Sequence, residues 1–153
     1  MTGFGERATP LPAAQDRERD LPWEDRTAER TVQVTAEMID RFVELSSDHS
    51  AIHVSDEAAR AYGFRGRVAH GMLVGSLVSG LIGTELPGDC GVLQEVKLSF
   101  RNPCYAGDTL HIHLKVREFF ASVQSLILTV SIRNQDGLTI ATGNVQSGIK
   151  SQS

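Results

Sequence analysis

Alternation of apolar and polar positions dominates the second half of the chain. Val96, Leu98 and Phe100 alternate with Glu95, Lys97 and Ser99, and Leu110, Ile112, Leu114 and Val116 alternate with His111, His113, Lys115 and Arg117. A period of two is that of a strand with one face turned to a core. The same pattern predicts strands over 126–132 and 139–149, with Asn134-Gln135-Asp136-Gly137 as the turn between them. Earlier in the chain, the β-branched alternation at 31–35 predicts a short strand, and Thr35 then stands where it can cap a helix. Ile39, Phe42 and Val43 form an apolar stripe on that helix, which is expected to run to about Ser46 and end beside Asp48. Beyond a loop through His53, Ser55 is a second N-cap, with Asp56 and Glu57 in the first turn, where the helix dipole favours acids; this helix is expected to stop near Tyr62-Gly63.

The segment 71–83 has another character. It carries no charge and is apolar on nearly every face, which predicts a helix surrounded by protein. Gly71, Gly75, Gly80 and Gly83 interrupt it, and glycine in a helix costs about 1 kcal/mol relative to alanine, so close approach by another backbone is expected. Helices first and antiparallel strands last make an α+β pattern. A long sheet curled around this one helix accounts for both halves.

Composition narrows the function classes. The 153 residues are 41% hydrophobic, which suits one domain and one core. A net charge of −4 without a dense Lys/Arg run argues against nucleic-acid binding. The first thirty residues lack the apolar stretch of a secretory signal, and 71–84 is too short to cross a bilayer comfortably, so no membrane partner and a cytoplasmic location are expected. Cys90 and Cys104 are isolated thiols, which suggests neither a disulfide framework nor a zinc site. Residues 1–30 contain Pro10, Pro12 and Pro22 and the run Asp16-Arg17-Glu18-Arg19-Asp20, the composition of an extended arm, leaving 31–150 as the domain. Trp23 is expected to pack, partly exposed, where the arm meets the domain or a partner subunit.

Chemistry concentrates in two motifs, Ser-Asp-His-Ser-Ala-Ile-His ending at His53, and Val-Ala-His-Gly-Met-Leu-Val-Gly-Ser-Leu-Val-Ser ending at Ser79. An aspartate followed five positions later by a histidine can take a proton from water and deliver one elsewhere, although the same spacing is common in solvated loops. Metal-compatible spacing occurs at His49-x-x-x-His53 and His111-x-His113, but no third ligand is evident beside either pair, so no metal is expected. Phosphate-cradling, dinucleotide and serine-hydrolase glycine motifs are missing.

Together the two motifs resemble those of the MaoC-like (R)-specific enoyl-CoA hydratases and 3-hydroxyacyl dehydratases of the hotdog fold, over roughly residues 31–149. The resemblance implies that Asp48 and His53 hold the attacking water and that the Gly71 N–H receives the thioester oxygen at a helix N-terminus, where the dipole favours developing negative charge. It implies that Ser79 orients the carboxylate from the central helix, with Ser76 as the rival. His70 and Met72 are candidates for contact with the substrate, His70 as a brace of the loop more than for chemistry, since its neighbour already serves the oxyanion. Arg65 and Arg67 stand just before His70 and are candidates for phosphates of CoA or of a carrier arm, or are solvated. Where the family loop usually reads Asp-x-Asn-Pro-Ile/Leu-His, Ser50-Ala51 replace Asn-Pro, which suggests a looser loop. The implied activity is (R)-specific hydration of a trans-2-enoyl thioester or the reverse dehydration, in a homodimer and without a cofactor. Enoyl-CoA or enoyl-acyl-carrier-protein is the implied substrate. The alternatives are a dehydratase dedicated to a carrier-bound biosynthetic intermediate, a silent acyl-binding hotdog subunit, and a thioesterase.

Overall fold

The structure, a computed structural model, describes residues 22–151. Strands β1 (Thr27–Gln33), β2 (Gly91–Phe100), β3 (Thr109–Phe120), β4 (Ser125–Arg133) and β5 (Thr139–Ile149) join in one antiparallel sheet in the order β1-β3-β4-β5-β2. The alternation in β3 has the predicted meaning: Leu110, Ile112, Leu114 and Val116 are buried, and Leu126, Leu128, Val130 and Ile132 continue the same layer on β4. Register shifts at Leu93/Glu95, Val116/Glu118 and Ile132/Arg133 interrupt three of the four ladders. Bulges of this kind bend and twist a sheet, and here they accompany its curl around a helix. At the β4–β5 turn, the Asn134 side chain accepts the N–H groups of Asp136 and Leu138, and Gly137 takes φ 76°, a left-handed conformation that suits glycine.

Four helices precede β2: α1 (Ala36–Ser46), α2 (Ala51–Val54), α3 (Asp56–Ala61) and α4 (Gly71–Thr84). Thr35 and Ser55 cap α1 and α3 as predicted, accepting from the N–H groups of Met38 and Ala58. The core lies between the sheet and α4, where Leu73, Val74, Val78, Leu81 and Ile82 meet the β3 and β4 layer. The fold is α+β and of the hotdog type.

Four expectations need correction. The first strand starts at Thr27, four residues before the predicted position, and a short turn at Trp23–Asp25 precedes it, so folded structure begins ahead of residue 31. The alternation was obscured because Arg30 occupies a position between Ala28 and Val32 on the α4 side of β1. Its guanidinium reaches Thr84 Oγ1 and Glu85 Oε1 at the end of α4. Trp23 packs against the core under the Arg26 guanidinium and beside Phe119, whereas Pro10, Pro12 and the charge run lie outside the described residues.

Helix α4 is not enclosed on every side. Met72, Ser76, Ser79 and Gly83 are exposed, because the single sheet covers only one side of the helix. The space at Gly71 and Gly75 serves side chains of β2 and not its backbone: a Cβ at Gly71 would meet the Phe100 ring at 3.0 Å, and one at Gly75 would meet Leu98 Cδ1 at 3.6 Å. Strand β2 alternates in sequence but lacks a buried face, with Val96 39% and Phe100 46% exposed. It is a sheet edge, paired only to β5, and α4 leaves most of it uncovered.

Candidate active site

The end of α1 sets the position of Asp48. Ser47 adopts a left-handed conformation, φ 58°, and turns the chain out of the helix. The Ser46 hydroxyl donates to Phe42 O and accepts the Asp48 N–H at 3.2 Å. Asp48 Oδ1 accepts the Ser50 N–H at 3.1 Å, an Asx-type turn that leaves Oδ2 unoccupied by that bond. Ser50 is then the N-cap of α2 and Ala51 its first residue, sites at which asparagine and proline are favoured for the same geometric reason. The segment expected to be a looser loop therefore contains a helical turn, held at its start by the aspartate.

Helix α2 carries His53, which is 8% exposed. Its Nδ1 lies 2.7 Å from Val68 O. A carbonyl can only accept, so Nδ1 carries the proton and a neutral ring presents a bare Nε2. That nitrogen stands 3.8 Å from Asp48 Oδ2, too far for a direct hydrogen bond and wide enough for one oxygen atom to bond both.

Gly71 begins α4. The N–H groups of Leu73 and Val74 return to His70 O, and among the described residues no acceptor meets the Gly71 N–H. Beside it opens a cavity of about 350 Å³ lined mainly by apolar side chains, with Ile52, Phe64, Val74, Phe100 and Ile140 joining His53 and Gly71. An unpaired donor and an unpaired base thus border one apolar cavity.

Cys104 also lines the cavity. Burial, reinforced by Asp108 and opposed by Arg65, pushes its thiol up to about 12. It therefore stays neutral at physiological pH and serves as a small apolar wall instead of a thiolate nucleophile.

Of the residues singled out in the sequence, Asp48, His53, His70 and Gly71 come together. His70 lies behind His53, is 3% exposed and does not line the cavity. Met72 is exposed outside it. Arg65 pairs with Asp108 at 2.7 Å and Arg67 with Asp40 at 2.6 Å, so each already has a carboxylate. Ser79 is exposed about two helical turns, roughly 12 Å, beyond Gly71 and makes no hydrogen bond to Asp48 within the chain. Its rival Ser76 donates to Leu73 O, as a helical serine commonly does. His49 is exposed, and His111 and His113 lie on the outer side of β3 beside Thr31 and Glu29.

Asp48, His53 and His70 each bring one potential metal-ligand atom within 4.8 Å of the others, a grouping that the sequence spacing did not reveal. The two imidazoles nevertheless stack at 3.7 Å with planes 21° apart, so their in-plane lone pairs run side by side and do not converge on one ion.

Three participants escaped sequence reasoning. The Val68 carbonyl, which sets the His53 tautomer, is backbone and has no residue signature. Phe100 walls the cavity from the end of β2, where alternation reveals a strand but not what it faces. Arg101 carries a permanent charge at the cavity and has no carboxylate partner among the described residues.

Residues 19–133 match the MaoC like domain family. This chain belongs to that family. Among MaoC-like relatives it is 33% identical over 102 residues to an (R)-specific enoyl-CoA hydratase of Aeromonas caviae, a match covering 67% of this chain and 76% of the relative. It is 40% identical over 76 residues to a mitochondrial 3-hydroxyacyl-[acyl-carrier-protein] dehydratase of Arabidopsis thaliana, covering 50% and 45% of the two chains. The solved (R)-hydratase of A. caviae superposes with a TM-score of 0.80 at 28% identity, over 86% of this chain and 99% of that one. No helix among the described residues is long and apolar enough to cross a membrane.

Proposed function

We propose that this MaoC-like protein catalyses (R)-specific hydration of trans-2-enoyl thioesters to (R)-3-hydroxyacyl thioesters, and the reverse dehydration. The observation that carries the reading is the 3.8 Å gap between His53 Nε2 and Asp48 Oδ2, beside an apolar cavity bordered by the free Gly71 N–H. In this reading one water sits in the gap. As its oxygen bonds the β-carbon, one member of the pair takes its proton, and the electron pair of the double bond moves toward the thioester. The Gly71 N–H meets the resulting enolate oxygen, an interaction typically worth about 3 to 4 kcal/mol in the transition state. Proton delivery to the α-carbon by the same pair completes the addition, and no electron leaves or enters. Asp48 and His53 share these proton transfers.

Relatives that act on CoA and on carrier-protein thioesters support either carrier as the substrate's handle. Of the cations near the site, Arg101, without a carboxylate partner among the described residues, would meet a phosphate of that handle, whereas Arg65 and Arg67 would have to share with their aspartates. The exposed strip of Met72, Ser76 and Ser79 on α4 beside the uncovered β2 edge supports a homodimer. The reading keeps for Ser79, on the same exposed strip, the role of orienting the catalytic carboxylate. The same reading assigns the protein to the cytoplasm and to fatty-acid metabolism.

Incubation with crotonyl-CoA and longer enoyl-CoAs, followed by loss of enoyl absorbance and chiral analysis, tests the reading. Formation of the (R)-3-hydroxyacyl product is expected. An (S) product, or release of free thiol without hydration, would overturn it. Parallel assays with carrier-protein thioesters separate the CoA enzyme from a dedicated carrier-protein dehydratase.

A further inference from the structure

His70 sits where three elements of the site meet, α1, α2 and α4. Its ring stacks on His53 at 3.7 Å and leans on Phe42 of α1 at 5.0 Å, while its backbone opens α4. His70 Nε2 lies 3.2 Å from Asp48 O, and among the described residues that carbonyl has no other donor. Because a carbonyl must accept, Nε2 carries the proton, which leaves Nδ1 as a bare acceptor. That nitrogen is buried without a partner, a situation that typically costs about 1 to 3 kcal/mol. A phenyl ring would fill the same space without this cost. What the imidazole alone supplies is the bond to the Asp48 backbone; the flat face against His53 is one that a phenyl ring would keep.

We propose that His70 is a positioning residue for the hydration step, one that holds the Asp48 main chain and the His53 ring at the separation where Oδ2 and Nε2 share a single water. The assignment rests on the hydratase reading. With Nδ1 tied to Val68 O on one side and its ring face on His70, His53 keeps one orientation. Asp48, whose side chain is 50% exposed, is fixed through its own N–H, Oδ1 and carbonyl, and the carbonyl tie is the one made by His70. Groups that orient the residues touching the reacting atoms commonly change activity by about 10- to 100-fold.

Three substitutions separate positioning from packing. Gln places its amide nitrogen as many bonds from Cβ as His Nε2, Asn reaches only as far as Nδ1, and Phe keeps the ring but cannot donate. Thermal melting first establishes which variants are folded. His70→Phe and His70→Asn are expected to lower kcat about 10- to 100-fold with KM changed by less than about twofold, while His70→Gln recovers most of the loss. In an Asp48→Asn background, His70→Phe is expected to cost little more, since it acts through the aspartate. A folded His70→Phe with normal kcat beside a defective His70→Gln would assign the residue to packing and overturn the proposal. So would an equal loss in both backgrounds. Histidine ring nitrogen NMR of the unmodified protein supplies a readout apart from turnover: His70 is expected to be protonated at Nε2 and His53 at Nδ1. A His70 found with its proton on Nδ1 alone would overturn the inference even if hydration is observed, whereas failure of the unmodified protein to hydrate enoyl-CoA would sink the functional reading by itself.

Discussion

At the scale of single residues, Asp48 is committed through Oδ1 to the Ser50 N–H and His53 through Nδ1 to Val68 O, so only Oδ2 and Nε2 are left to face a shared water. Removing either partner takes away a proton acceptor or donor together with the water's second anchor. Asp48→Ala and His53→Ala are each expected to lower turnover about 100- to 10,000-fold, and the double variant little further, because the two act as a unit. His49→Ala is expected to keep most activity, its side chain being exposed and outside the pair. Initial rates of enoyl-CoA hydration decide between the two imidazoles. Cys104 supports a prediction of another kind. Its folded-state value is raised from 9.0 to about 12, so the stability it contributes by staying neutral is complete below pH 9 and is lost as pH rises from there toward about 12. Melting curves of the unmodified protein and of Cys104→Val are expected to run parallel below pH 9. Above it the unmodified protein should lose stability faster.

At the scale of elements, α4 and β2 meet through Gly71 and Gly75, where Phe100 and Leu98 occupy the space that side chains would fill. Gly71→Val would push a branched side chain into the Phe100 ring and into the cavity. A loss of about 1 to 3 kcal/mol of stability is expected from the crowding, with turnover falling further because the thioester approaches the same N–H. Chemical denaturation and kinetics measure the two effects separately. The outward strip of α4 makes a second prediction. Ser79→Ala is expected to reduce turnover while leaving the melting temperature near its original value, and Met72→Glu, which sets a charge on the exposed side of the helix, is expected to weaken self-association. Unchanged turnover in Ser79→Ala would remove that serine from the site.

At the scale of the whole molecule, a single copy leaves β2 as an open edge ten residues long, with Val92, Leu93, Val96 and Phe100 among its exposed side chains. Such an edge, with apolar side chains exposed beside it, is a template for pairing with another chain. Sedimentation is expected to find a dimer or a multiple of it. Deletion of residues 1–20 is expected to leave both assembly and activity intact, since the composition of that segment is that of an extended arm and the sheet and helices of the described residues lie after it. A monomeric truncated protein would assign those residues to the interface.

Local patterns were legible in the sequence because their causes are local. Thr35 and Ser55 cap helices through their own hydroxyls, Asn134 and Gly137 close a turn with their own groups, and the alternation in β3 follows from the two-residue period of any strand with one buried face. Asp48 and His53, the pair that the proposed reading sets around the water, were legible as well, through a resemblance carried by short motifs. Whatever depends on neighbours distant in the chain was not. Arg30 hid the start of β1 because its partners lie fifty-four and fifty-five positions away, on the far end of α4. The alternating β2 lacks a buried face because the helix packed on the sheet leaves most of it uncovered, which only the packing of α4 decides. The orientation of His53 came from the Val68 carbonyl and the face of His70, contacts between segments fifteen or more residues apart. Hydrophobic period and capping are properties of adjacent residues, whereas the tautomer of a buried imidazole and the exposure of a strand are decided by which surfaces the folded chain brings together.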